Sequence, residues 1–229
     1  MNARILGIGW VDGNGPGKGR DSRSCKLLPG ELPRIERSDI FADPDRRFGR
    51  LDDFSRLGLA AIALALQDAG LDTWEHKRPW GIIAASRYGS LATDQNYFAT
   101  AIPEGGALAS PHLFAYTLAN CFTGEAAIRF GLTGPSYVIG ETGVSSFAAL
   151  ELALETLGVG EAPLVVAGIS DLPFPGEADA DEISGSIFMV LARDGEGPEI
   201  TLKDQQLCIE NSAVDSWNRL VAAAQPHLR

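Results

Sequence analysis

Residues 131–154, GLTGPSYVIGETGVSSFAALELAL, constrain this chain more than any other stretch. They read as a turn, a short strand, a sharp bend and a long buried helix. Gly131, Gly134 and Pro135 punctuate the start, and residues 136–139 are a short β-prone run. Residues 140–143 form the bend. Ser145 and Ser146 are N-cap candidates, after which Phe147, Leu150, Leu154 and Leu157 recur at helical spacing. Such a unit aims one side chain and several unpaired backbone N–H groups at one point. Helix N-termini activate nucleophiles and hold anions in that position. A nucleophile belongs at this bend, and the residue there is Gly143.

The rest of the chain supplies the layers around that unit. Residues 4–11 read as a strand, tightened by Gly7 and Gly9. Residues 12–48 are rich in Gly, Pro and charge and read as a long loop, a feature that in a compact domain is functional or disordered. Residues 52–69 read as a helix, capped by Asp52 or Asp53 and ended by Gly70. Its apolar residues cover more than one face, which buries it between layers. Further strands are expected at 80–85 and 164–169, and further helices at 93–102 and 118–130. Residues 187–192 and 199–202 read as a hairpin across 194–197, and residues 212–224 as a terminal helix. Strands alternating with buried helices imply an α/β fold, three layers (α/β/α) around a mixed sheet. With no internal repeat and no dividing linker, one domain over residues 1–229 is expected, with 204–229 as a C-terminal extension.

Composition narrows the function. Of 229 residues, 45% are hydrophobic, enough for a substantial core. The formal net charge of -11 argues against nucleic acid and anionic membranes as partners. Cys25, Cys121 and Cys208 are odd in number and widely spaced. They suggest no disulfide framework and no CxxC metal site, and so a reducing, cytoplasmic location. The first residues lack the apolar core of a signal peptide, and no apolar run reaches the ~20 residues of a membrane span. Residues 13–20, GNGPGKGR, hint at a phosphate loop, but Asp12 and Gly19 occupy positions where the motif needs glycine and a hydroxyl. No His/Cys/Asp set has metal-ligand spacing. Neither a cofactor nor a metal is expected.

Several motifs in order resemble the N-terminal half of a β-ketoacyl synthase, of the thiolase-like fold. ARILGIGWV is similar to the family's opening strand. FGRLDDFSRLGLAAIALALQDAGLD resembles its basic and Asp/Phe stretch leading into an Ala-rich helix. WGIIAASRYGS is similar to its second strand and glycine turn. SPHLFAYTLANCFTGEAAIRFGLTGPSYVI keeps the family's Pro, Leu118 and Asn120, Gly124, and the Gly-Leu-x-Gly-Pro run from Gly131 to Pro135. APLVVAGISD and SGSIFMVLAR resemble later strands. The resemblance spans residues 3–203.

The departures carry the functional reading. Active synthases have Thr-Ala-Cys-Ser-Ser at the bend, and the Cys carries the acyl chain as a thioester. Here those positions hold Glu141, Thr142, Gly143, Val144 and Ser145, so the nucleophile position has no side chain. The family's other catalytic residues, usually histidines, lie in a second half of the fold that this sequence lacks. His76, His112 and His227 do not fall at matching positions. The resemblance therefore implies a non-catalytic, chain-length-factor-like partner of an intact ketosynthase in fatty acid or polyketide-type synthesis. Two alternatives stand beside it: an acyl-transfer or thioesterase enzyme using another nucleophile, and an acyl-binding or structural scaffold.

Other candidate residues have plainer readings beside them. Ser145 and Ser146 are weak alternative nucleophiles, since a hydrolase elbow needs Gly-x-Ser-x-Gly and Phe147 breaks it. Cys121 sits early in a helix, where a thiolate is favoured, although a buried packing cysteine is the commoner case. Arg46, Arg47, Arg50 and Arg56 form a basic cluster on an acidic chain. The first three are candidates to meet an acyl carrier protein, and local pairing with Asp43, Asp45, Asp52 and Asp53 is the alternative. The acidic run at 177–182 reads as a solvated loop. By the resemblance, Ser136, Tyr137, Val138 and Ile139 form the strand that pairs with its twin across a dimer axis. That strand carries no Lys, Glu or internal Pro against edge pairing, so a homodimer or a heterodimer with an intact ketosynthase is expected. The surface left by the missing half is expected to be exposed as well.

Overall fold

The structure, a computed structural model, describes residues 1–140, 146–173 and 183–228. The opening strand, β1 (Asn2–Asp12), lies inside a sheet of nine strands among the described residues. Its Ala3, Ile5, Ile8 and Trp10 enter one core. Its glycines face the other side and set how closely a helix can approach. A Cβ on Gly9 would lie 2.1 Å from the Ala65 amide nitrogen, and one on Gly7 would lie 2.5 Å from that of Ala69. Only a bare strand lets that helix backbone lie flat on it.

Residues 12–48 are more ordered than expected. They fold back as β2 (Gly15–Lys18), antiparallel to the end of β1, and later form the short helix α1 (Arg37–Ile40). The helix that lies on β1 is α2 (Asp53–Asp68), with the Asp52 side chain accepting from the Ser55 amide at 3.0 Å as its cap. Buried charge pairs hold the early loop down. Asp12, fully buried, accepts from the Arg23 guanidinium at 2.7 and 2.9 Å and from the Asn14 and Lys26 amides. Asp68 accepts from the Ile8 and Arg20 amides and pairs with the Arg20 guanidinium at 3.2 Å. A carboxylate tolerates burial only when donors meet it, so these two acids fix the loop to the sheet.

The chain continues through β3 (Gly81–Ser86), α3 (Leu91–Ala101), α4 (Pro111–Phe114), α5 (Cys121–Phe130) and β4 (Ser136–Gly140). Then come α6 (Ala148–Val159), β5 (Leu164–Asp171) and β6 (Gly185–Ala192). Last are β7 (Glu199–Lys203), β8 (Gln206–Ile209), β9 (Ser212–Ala213) and α7 (Trp217–Ala224). The sheet order is β4-β3-β5-β6-β1-β7-β8-β9, with β2 on the end of β1. The first three are parallel and the rest antiparallel.

Strand periodicity sorts side chains into two cores. In β6, Ile187, Met189 and Leu191 join the core under α6 and α7, while Phe188 and Val190 join the core under α2 and α5. Phe54 and Phe122 meet edge to face in the second, 5.4 Å between centroids. Both faces of the sheet are thus covered, which makes the fold three-layer α/β. No helix among the described residues is long and apolar enough to cross a membrane.

Two expectations fail here. Residues 187–192 and 199–202 are not a hairpin, because β1 lies between β6 and β7. β6 pairs with residues 4–11 of β1, and β7 with residues 2–4. The intervening turn steps over β1, with the Ile5 amide donating to the Pro198 carbonyl at 3.0 Å and Gly197 at φ +145°. Local turn residues cannot reveal that a strand from the far end of the chain fills the gap. The terminal helix also begins late, at Trp217. Glu210 and Asn211, at φ +46° and +67°, turn the chain into the β8–β9 hairpin. Ser216 then caps the helix by accepting from the Arg219 amide.

Candidate functional site

The parallel strands β4, β3 and β5 end side by side. Gly140 registers with Ser86, and Ala85 with Ile169. Open α/β sheets bind their ligands beyond the carboxyl ends of such strands. Asp171, at the end of β5, ties this edge together. It accepts from the Ser86 hydroxyl at 2.8 Å and from the Arg87 and Tyr88 amides at 2.9–3.1 Å. Burial pushes its carboxyl above the ordinary 3.8, and those three donors oppose the shift. The lock was not recognised in the sequence, although a polar residue closing each of two apolar strands, Ser86 and Asp171, is a signal for it.

Gly143 and Ser145 lie outside the described residues, as does the whole acidic run at 177–182. The description resumes at Ser146. The N-cap of α6 is Phe147, without a side-chain cap bond. The Ser146 hydroxyl accepts from the Ala148 amide at 3.4 Å, weaker than the capping role expected of it. Its carbonyl takes a bond from the Trp217 indole N–H at 3.3 Å, and the Trp217 ring sits 5.4 Å from that of Phe147. This contact, too, is absent from any local reading.

Cys121 is the first residue of α5, and its thiol donates to the Ala115 carbonyl at 3.2 Å. Burial pushes the thiol up, and the charges of Asp52 and Glu125 push it further. Helix position alone suggested the opposite. A thiol raised in this way is a poor nucleophile at neutral pH.

The basic cluster divides. Arg56 pairs with Asp53 at 3.0 Å and donates to the Leu51 carbonyl. Arg47 reaches Glu125 at only 3.4 Å. Asp45, an expected partner, is taken instead by Arg129 at 2.6 Å. The exposed Arg46 and Arg50 side chains have no hydrogen bond or ion pair among the described residues. Beside Arg56, a groove of about 600 Å³ runs past Leu32, Arg34, Ile35, Leu57 and Leu172, with Glu31 and Asp53 balancing its two arginines.

The open edge of the sheet is β4, which has β3 on one side and no strand on the other among the described residues. Tyr137 is 48% exposed. Val138 packs against the α2 core and Ile139 against the α6 core. The stretch 91–118 is equally bare. In α3 only Thr93 is buried. Phe98, Ile102, Leu108, Phe114 and Leu118 are 62–73% exposed. Polar ties hold this flap, among them Thr93 hydroxyl to Asp52, Ser90 hydroxyl to the Thr117 carbonyl and the Cys121 thiol to the Ala115 carbonyl. Its base therefore stands just beyond Ser86, at the same edge as Gly140.

Residues 35–178, more than half of the chain, match the family model for the β-ketoacyl synthase N-terminal domain. A polyketide β-ketoacyl synthase from Streptomyces virginiae is 29% identical over 156 residues, which cover 64% of this chain and 33% of that protein. The chain thus spans about a third of that relative's own length. A ketosynthase in complex with its chain length factor from Xenorhabdus doucetiae contains a chain that superposes with TM-score 0.63 at 15% identity, covering 100% of this chain and 92% of that one. A type II polyketide synthase acyl-carrier protein in complex with its ketosynthase contains another, TM-score 0.65 at 16% identity, covering 84% and 63%. On that match over residues 35–178, this chain belongs to the β-ketoacyl synthase family, through the N-terminal domain.

Proposed function

We propose that this chain is a non-catalytic, chain-length-factor-like partner of an active ketosynthase in fatty acid or polyketide-type synthesis, working in the cytoplasm as a heterodimer. The observation that carries the reading is the open β4 edge beside an apolar flap. An exposed edge strand invites pairing, and a helix with one buried residue next to five bare large apolar side chains needs a covering surface. By the family resemblance, Gly143 stands where a synthase carries its cysteine, which supports a subunit that lends a wall rather than a nucleophile. The near-complete overlap with a chain from the Xenorhabdus doucetiae complex supports the same reading. Arg46 and Arg50, free of local partners, suit an acidic acyl carrier protein.

The test is co-expression with an intact ketosynthase encoded beside this chain's gene, followed by sedimentation. A stable 1:1 complex, with acyl groups found by mass spectrometry only on the partner, is the expected result. A homodimer alone, or acylation of this chain at Cys121, Ser145 or Ser146, overturns it. Gly143→Cys is expected to gain no condensing activity in isolation.

A further inference from the structure

Helix α7 touches two segments that lie far apart in the sequence. At one end of it, the Asn218 side chain accepts from the Leu27 amide at 2.8 Å and donates to the Leu27 carbonyl at 3.1 Å. Further along, the Gln225 amide donates to the Gly19 and Arg23 carbonyls at 3.3 and 3.0 Å. On the other side, Trp217 donates to the Ser146 carbonyl and packs on Phe147, at the entry of α6. Trp217, Leu220, Val221, Ala224 and Leu228 are all buried in the same core as Phe147 and Leu27. The approach to the helix is pinned by the Val214 amide donating to the Leu207 carbonyl.

We propose that residues 214–228 form an intramolecular strap that couples the 19–27 loop to the entry of α6, so that the two open together when α7 lifts. The reason is cooperative. An eight-residue helix is not stable on its own in water, so α7 detaches and melts in one step rather than peeling from one contact at a time. Both segments then lose their α7 partners at once, in a sub-global opening that leaves the sheet and the Asp12 and Asp68 ties of the early loop in place. This inference is independent of the proposed function, since it concerns only contacts within the chain.

Hydrogen exchange read by mass spectrometry on the full-length chain tests it with two mild variants. Asn218→Ala removes the two bonds to Leu27, and Trp217→Phe removes the bond to Ser146 and trims the packing on Phe147. Each variant is expected to speed exchange roughly tenfold in both 19–28 and 146–150, including the segment it does not touch. Exchange in β5 and β6 stays unchanged. The proposal is overturned if each variant loosens only the segment it touches, if neither segment responds, or if β5 and β6 accelerate equally and the loss is global.

Discussion

The α6–α7 face and the β4 edge are both rich in apolar residues, yet one is sealed and the other bare. Phe147, against Trp217 of α7, and Leu150, Leu154 and Leu157 behind it are all buried in one core. The positions of α6 that look outward include Glu151 and Glu155, with Val159 the exposed large apolar side chain on that helix. A half-fold was expected to expose the surface left by its missing half. The chain's own C-terminal segment closes part of one core, and many of the exposed apolar side chains gather at 91–137. Apolar composition therefore says that a surface must be covered. Which body covers it depends on whether the chain can reach.

The sharpest way to break this contrast is a matched pair of truncations. Leu220→Ala, in the sealed face, is expected to cost about 2–5 kcal/mol in urea unfolding. Leu108→Ala, in the flap, is expected to change the stability of the isolated chain by only about 0.5 kcal/mol. Equal costs would show that the flap is covered within the chain after all.

Phe98→Asp sharpens the open side. It leaves the thermal midpoint of the isolated chain unchanged and weakens ketosynthase association roughly a hundredfold or more by sedimentation, as expected for an anchor at an interface centre. Unaltered association would move the interface away from the flap.

At the strand itself, Tyr137→Lys puts a charge on the exposed edge and is expected to weaken association roughly tenfold. Val138→Lys does not ask the same question. Val138 packs on the α2 core, so a charge there tests folding, and lost solubility is the expected outcome.

The smallest effect is expected from the basic pair. Arg46→Glu with Arg50→Glu should lower carrier-protein affinity by about 0.5–1 kcal/mol at low ionic strength and flatten its salt dependence. An unchanged salt slope by titration calorimetry would assign the arginines to solvent alone.

Much of the fold was legible because it rests on short-range rules. The Asp52 cap, the Gly70 stop and the two glycines of β1 locate α2 and the strand beneath it. The continuous apolar runs of β5 and β6 mark strands buried on both faces. The candidate site was legible only in part. Gly143 is visible by comparison with the family's bend. The raised thiol of Cys121 is not, because its helix position points one way and its burial the other.

What the sequence determined by itself is local: where strands and helices occur and where they are capped. Tertiary structure decided the rest. It placed β1 between β6 and β7, joined Ser86 to Asp171, and brought Trp217 to Ser146. Those pairings link residues 71 to almost 200 positions apart. Periodicity and capping act within a turn or two of chain, whereas strand order and covered faces follow from the summed burial of distant side chains.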